Sequence, residues 1–136
     1  MFGSLNLGRF LLATVAVFIT TFVYDLVVHG HLLVDTYKDT TMSVGSGTIA
    51  MDFSLVIKLL TLMVITFIFT RNYEGKGLSE GVRFGLMIGL LVGLVLVGSH
   101  ITLATIKSVG LVWIIDSIMG GIVIGTTLSL VYGHKK

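Results

Sequence analysis

The chain contains no cysteine and no proline, and only 12% of its 136 residues are charged. Without cysteine, disulfides, thiolate zinc sites, iron–sulfur clusters and cysteine nucleophiles are all excluded. Without proline, the interrupted helices that many transporters mark with Pro and Gly are not signalled, and fairly straight helices are expected. The scarcity of charge excludes the most. Hydrophobic residues make up 54% of the chain and the mean hydropathy is +1.03, values outside the range of soluble domains. A bilayer supplies the apolar solvent that such a surface needs. The net charge of +2 is too small to call for nucleic acid, so the lipid bilayer is the first expected partner.

Four apolar stretches are present: Leu7 to Val28, Phe53 to Thr70, Phe84 to about Ile101, and Val109 to Tyr132. Each approaches the roughly 20 residues that cross a hydrocarbon core, with Phe53 to Thr70 short enough to need a further turn upstream. None alternates as a membrane β-strand does, and helices alone satisfy every backbone group within one segment. Leu7 to Val28 is longer than the apolar core of a secretory signal and lacks a clear small-x-small cleavage site, so it reads as a mature helix. The expected fold is all-α: one transmembrane domain over residues 1–136, an antiparallel bundle with helices at about 7–28, 53–70, 82–101 and 109–132.

The basic residues orient it. Arg9, Arg71, Lys76, Arg83, Lys135 and Lys136 fall at the N-terminus, the second loop and the C-terminus, against Lys38 and Lys107 on the other side. The positive-inside rule then places both termini in the cytoplasm. The long first loop, about His29 to Asp52, faces outward with Gly45-Ser46-Gly47 at its centre. A very short third connection should make the last two helices a tight hairpin.

Glycine is plentiful and ordered. Gly77, Gly81, Gly85, Gly89 and Gly93 recur every four residues in the third span, and Ser117, Gly121, Gly125, Ser129 and Gly133 repeat the spacing in the fourth. Such a stripe forms a groove down one helix face that lets a second backbone approach closely. The two grooves are expected to pack against each other, or one of them to face outward as a docking surface.

Three ionisable residues lie inside the spans: Asp25, Lys58 and Asp116. Each costs roughly 2.5 to 3.5 kcal/mol at a helix centre, so they are expected to pair or to face the bundle interior. All three fall in the same half of the bundle, and His29 shares a face with Asp25 at i,i+4. Asp25, His29, Lys58 and Asp116 therefore read either as a clasp that fixes helix register or as a protonatable or ion-binding layer. His100, near the end of the third span, can join that layer, and His29 with His100 could ligate a haem or metal between helices. No recognisable ligand spacing supports that reading, so no metal and no cofactor are assigned. Tyr24, Tyr73, Trp113 and Tyr132 lie toward span ends, which fits interfacial anchoring. Ser79 before Glu80 suits the N-cap of the third helix.

The run Tyr73-Glu74-Gly75-Lys76-Gly77-Leu78-Ser79-Glu80-Gly81-Val82-Arg83-Phe84-Gly85-Leu86, with the His29-Gly30 step ending the first helix, resembles a group of small four-helix bacterial membrane proteins without an assigned activity. The resemblance implies the same fold, a place in the bacterial inner membrane and no particular chemistry. With loops this short the chain is expected to be non-catalytic. It reads first as an accessory subunit of a larger membrane complex, bound to other membrane subunits or to itself through its grooves. Next come a homo-oligomeric carrier of protons, ions or a small solute, and a haem or quinone protein.

Orientation is directly testable, because single cysteines can be introduced without background. A membrane-impermeant maleimide outside intact cells should label Ser46→Cys and spare Lys76→Cys; the reverse pattern would contradict the orientation.

Overall fold

In the computed structural model, residues 5–33, 35, 48–101 and 106–133 are described, with side chains at 5–33, 35, 53–101 and 109–133. The Gly45-Ser46-Gly47 centre of the first loop, the short third connection, Lys38, Lys107, Lys135 and Lys136 lie outside the residues whose side chains are described. All regular structure among the described residues is helical: α1 (Leu7–Val27), continued by a π-helical turn (Val28–Leu32), α2 (Thr48–Asn72), α3 (Leu78–Ser99) and α4 (Ile106–Tyr132). Each contains a stretch long and apolar enough to cross a membrane: Leu7–Leu32, Phe53–Asn72, Leu78–Ser99 and Val109–Tyr132. The chain is an integral membrane protein with four membrane-spanning helices. Its outward residues agree, since Leu12, Ile19, Met87, Val95 and Leu111 are exposed, a pattern that suits lipid and not water.

Local chemistry explains the helix ends. Asn6 caps α1 by accepting the Arg9 N–H on its Oδ1 at 3.0 Å. The loop before α3 turns through Gly75 and Gly77, at φ 82° and 72°, a region that costs other residues steric strain. Gly77, and not Ser79, is the N-cap of α3. Ser79 already lies inside the first turn, where its hydroxyl donates to the Lys76 carbonyl at 3.2 Å. The capping work falls instead to Glu80, whose carboxylate accepts the Glu74 and Lys76 N–H groups at 2.7 and 2.8 Å and folds the loop back over the helix start. Helix α3 therefore begins at Leu78, earlier than residue 82, and leaves Gly77 outside the groove. On the loop surface the Lys76 side-chain hydrogen bond holds the Glu74 carboxyl below the usual carboxylate range. Within the spans, Thr14, Thr20, Thr21, Thr61 and Thr127 return their hydroxyl protons to carbonyls of the preceding turn at 2.8–2.9 Å, so none needs water.

The closest packing is α3 against α4. Gly81, Gly85, Gly89 and Gly93 are buried. A Cβ at Gly81 would overlap the Gly125 carbonyl, one at Gly85 the Gly121 carbonyl, and one at Gly89 the Ser117 carbonyl. The positions on α3 rise as those on α4 fall, so the two helices run in opposite senses with their backbones in contact. Both grooves are thus filled by each other, and neither is left outward as a docking surface. Helix α4 also packs on α1, and α1 on α2, whereas α2 makes only slight contact with α4. The result is a row, α3–α4–α1–α2, whose end helices meet on the side of the α2–α3 loop through Phe69 and Phe84, ring centroids 5.1 Å apart. Ala13, Val17, Leu62, Ile65, Phe69 and Leu128 fill the core on the side of the α2–α3 loop, closed by Tyr73, Phe84 and Tyr132. Val109 and Trp113 form a smaller cluster with Leu96 and Val97 at the other end.

The groove contact makes a positional prediction. Gly85→Ala and Gly121→Ala should each destabilise the bundle by about 1–3 kcal/mol, because a backbone cannot yield as a side chain does. Gly98→Ala, with nothing within 4 Å of the new Cβ, should be neutral or stabilising by up to about 1 kcal/mol. Thermal unfolding of the three variants in detergent checks the contrast; equal effects at all three positions would contradict the groove.

Candidate functional site

Three helices bring ionisable groups to one level. At 1.5 Å per residue, Asp25 stands about 10 Å from the Leu32 end of its span, Asp116 about 10 Å from Val109, and Lys58 about 8 Å from Phe53. Because α1 ends where α2 and α4 begin, these depths coincide. The groups form two sets. On the α2 side, Lys58 Nζ donates to Asp25 Oδ2 at 2.5 Å. On the α4 side, Tyr24 Oη donates to Asp116 Oδ1 at 2.8 Å, and His29 Nε2 lies 3.3 Å from Asp116 Oδ2.

Adjacent residues on α1 thus serve opposite neighbours: Tyr24 faces α4 and Asp25 faces α2, as the 100° step of an α-helix requires. His29 would follow Asp25 on an uninterrupted helix. The chain turns π-helical here, its wider ring closed by Leu33 N–H to Val28 O at 2.8 Å. The smaller angular step of that turn leaves His29 near the Asp25 face, from which its imidazole reaches Asp116. Helix α1 is therefore not uniformly α-helical through its whole span, despite the absence of proline.

Charge exposure is uneven. The Asp116 side chain is 17% exposed and Lys58 23%, whereas Asp25 is 45% and His29 41% exposed. Below the layer lies a cleft of about 260 Å³. Tyr24, Asp25, Lys58 and Asp116 line its polar end, and Leu62, Ile65, Ile88, Val92 and Ile124 its apolar walls, so all four helices contribute to it. A second, almost wholly apolar hollow of about 480 Å³ runs along α1 and α4 from Leu32 to Met119. Tyr24 and Asp116 line both hollows, and their hydrogen bond stands between them.

Comparison with protein-family models, curated proteins and solved structures returns no match.

Of the residues singled out in the sequence, Asp25, His29, Lys58 and Asp116 come together, but as two sets and not as one lysine between two carboxylates. His100 does not join them. Its Nδ1 lies 2.9 Å from the carbonyl oxygen of Leu96, one turn back on the same helix, and its ring packs edge-on against Trp113 at 5.5 Å. His29 and His100 thus engage different partners, and no described contact joins them as a ligand pair. Trp113 is 8% exposed and sits in the α3–α4 contact, so it is a core residue and not an anchor at the lipid surface. Tyr73 and Tyr132 also turn inward, stacked edge-on at 6.0 Å. Tyr24 was passed over as one more span-end aromatic, yet its hydroxyl holds Asp116. The available signal was its place next to Asp25, on the face that the helical step turns away from α2.

The two sets should behave as couples. Lys58→Met leaves Asp25 without its cation and should cost about 1–2 kcal/mol, less than the roughly 3–5 of a fully buried pair because Asp25 is 45% exposed. Adding Asp25→Asn should recover about half of that loss, whereas adding Asp116→Asn should deepen it. Unfolding of single and double variants in detergent measures the coupling, and strict additivity for Asp25 with Lys58 would contradict the pair.

Proposed function

We propose that the protein is a small carrier of the bacterial inner membrane, N-in and C-in, which moves protons, ions or a small solute through the layer of Asp25, Lys58, His29 and Asp116. The observation that supports this is the meeting of two acid–base sets from three helices at one level, beside a cleft lined by all four helices. Intramembrane ionisable residues are costly and commonly mark ion and proton pathways. A pure register clasp needs only the pairing. It gives no reason for the cleft, nor for a single tyrosine–aspartate bond to separate two hollows.

In the mechanism the layer suggests, Asp116 is the group that exchanges. Its carboxylate is held by the Tyr24 hydroxyl and by His29, whose imidazole can give up or receive a proton, and it is the least exposed of the four. Breaking the Tyr24 hydrogen bond would join the two hollows, and occupation of Asp116 by a proton or a cation would relieve the need for that bond. The Asp25–Lys58 pair keeps α2 in register while the other set changes.

Asp25 and His29 remain nearly half exposed within their span, a costly arrangement against lipid. A second copy covering this edge would remove that cost, which favours a homo-oligomer. A different membrane subunit would serve equally well. That keeps the accessory, non-catalytic reading as a second one, though it can no longer rest on the small-residue grooves.

Reconstituted in liposomes, the purified protein should dissipate an imposed pH gradient, read with an entrapped pH dye. Asp116→Asn should return the rate to that of protein-free vesicles. Among the described residues, the titratable or charged groups facing Asp116 are Tyr24 and Asp25 on α1, His29 on the π-helical turn and Lys58 on α2, with none contributed by α3. Flux unaffected by Asp116→Asn and Lys58→Met would overturn the carrier reading, as would a native complex of fixed stoichiometry with another subunit and no flux.

A further inference from the structure

The charge and shape of the cleft select among ligands. Lys58 is matched by Asp25, its ammonium held against one carboxylate oxygen. Asp116 is held by a neutral hydroxyl and by a histidine, so with His29 neutral the layer carries one net negative charge, centred on Asp116. An anion entering here would meet that excess, whereas a monovalent cation would cancel it. Behind the carboxylates the surface is apolar: Leu62 and Ile65 on one wall, Ile88 and Val92 on the other, Ile124 at the base. A bare metal ion gains nothing from such walls. The small end of the site is also glycine-lined, and the ring of Tyr24 lies against Gly120, where an added Cβ would stand 3.4 Å from it. Tyr24 itself lines the cleft, so its ring belongs to the site a cation would enter.

We propose that the cleft binds a small organic cation, a monovalent quaternary or protonated amine with a compact apolar body. The cationic head lies by Asp116 and Tyr24, and the body lies between α2 and α3. At about 260 Å³ the cleft falls just below the roughly 300–1,000 Å³ of sites for drug-sized ligands, which limits the occupant to about a single ring or a few short alkyl chains. The α2 and α3 walls, Leu62 and Ile65 facing Ile88 and Val92, give the apolar body of such an amphiphile its contacts. The inference rests on the carrier reading, for which it names the cargo, but binding can be tested apart from transport.

The test uses the full-length protein in lipid nanodiscs and two probes of matched size and opposite charge, benzyltrimethylammonium and phenylmethanesulfonate, with binding followed by titration calorimetry. The cation should bind saturably, one per chain, and the anion should not. Asp116→Asn should weaken cation binding by about tenfold or more. Val92→Phe, which fills the cleft and leaves every charge in place, should abolish it. Gly98→Ala, away from the cleft and from every charge of the layer, should retain binding, and an unfolding transition kept by Val92→Phe in detergent guards against a loss caused by misfolding alone. Equal binding of the two probes, or cation binding untouched by both Asp116→Asn and Val92→Phe, would overturn the proposal. Proton flux through a protein that binds neither probe would overturn it while leaving the carrier reading intact. Saturable cation binding without any flux would uphold the site and remove the carrier.

Discussion

Backbone contact between α3 and α4 sets the position of everything else. In a bilayer, apolar side chains gain nothing by leaving water, so helices associate where their backbones can approach. Gly81, Gly85 and Gly89 bring α3 onto the carbonyls of Gly125, Gly121 and Ser117. This fixes the rotation of α4 about its own axis, and with it the direction in which Asp116 points. Helix α1 then packs on the free side of α4, and α2 on α1. Because α2 reaches α4 only slightly, a cleft remains among the four helices, while Phe69 against Phe84 joins α2 to α3 on the side of their loop.

The same contact determines what the polar layer can be. Had the grooves faced outward, Asp25, Lys58 and Asp116 would have been most economically read as the clasp of an assembly part. With the grooves filled, the molecule's unspent features are its charges, two of them nearly half exposed inside a span, and the hollow beside them. That is the ground for favouring a carrier over an accessory subunit, and for naming an organic cation as its cargo.

Much of the architecture was legible in the sequence because bilayer thickness and backbone hydrogen bonding leave few alternatives to four apolar helices. The α3–α4 pairing was legible too, since a four-residue glycine period has few other uses in lipid. Rotation about a helix axis was not. Asp25 and His29 share a face by their spacing, yet their side chains serve different neighbours, and no single residue announces either that or the π-helical turn at Val28–Leu32. Tyr24, Trp113 and Tyr132 were read by their distance from span ends, which is a statement of depth and carries no information about direction. Ser79 has the composition of a cap, but the positive φ available to Gly77 decides where α3 begins.

The central claim is that charges from three helices meet as two specific sets within the membrane. Magic-angle-spinning NMR of the protein in lipid bilayers measures this directly, through dipolar couplings from Lys58 Nζ to the Asp25 carboxyl carbon and from His29 Nε2 to that of Asp116. The account predicts strong coupling in both pairs, as expected for nitrogen and oxygen within about 4 Å. No coupling in either pair would mean that the side chains face other neighbours, and the polar layer as described would not exist.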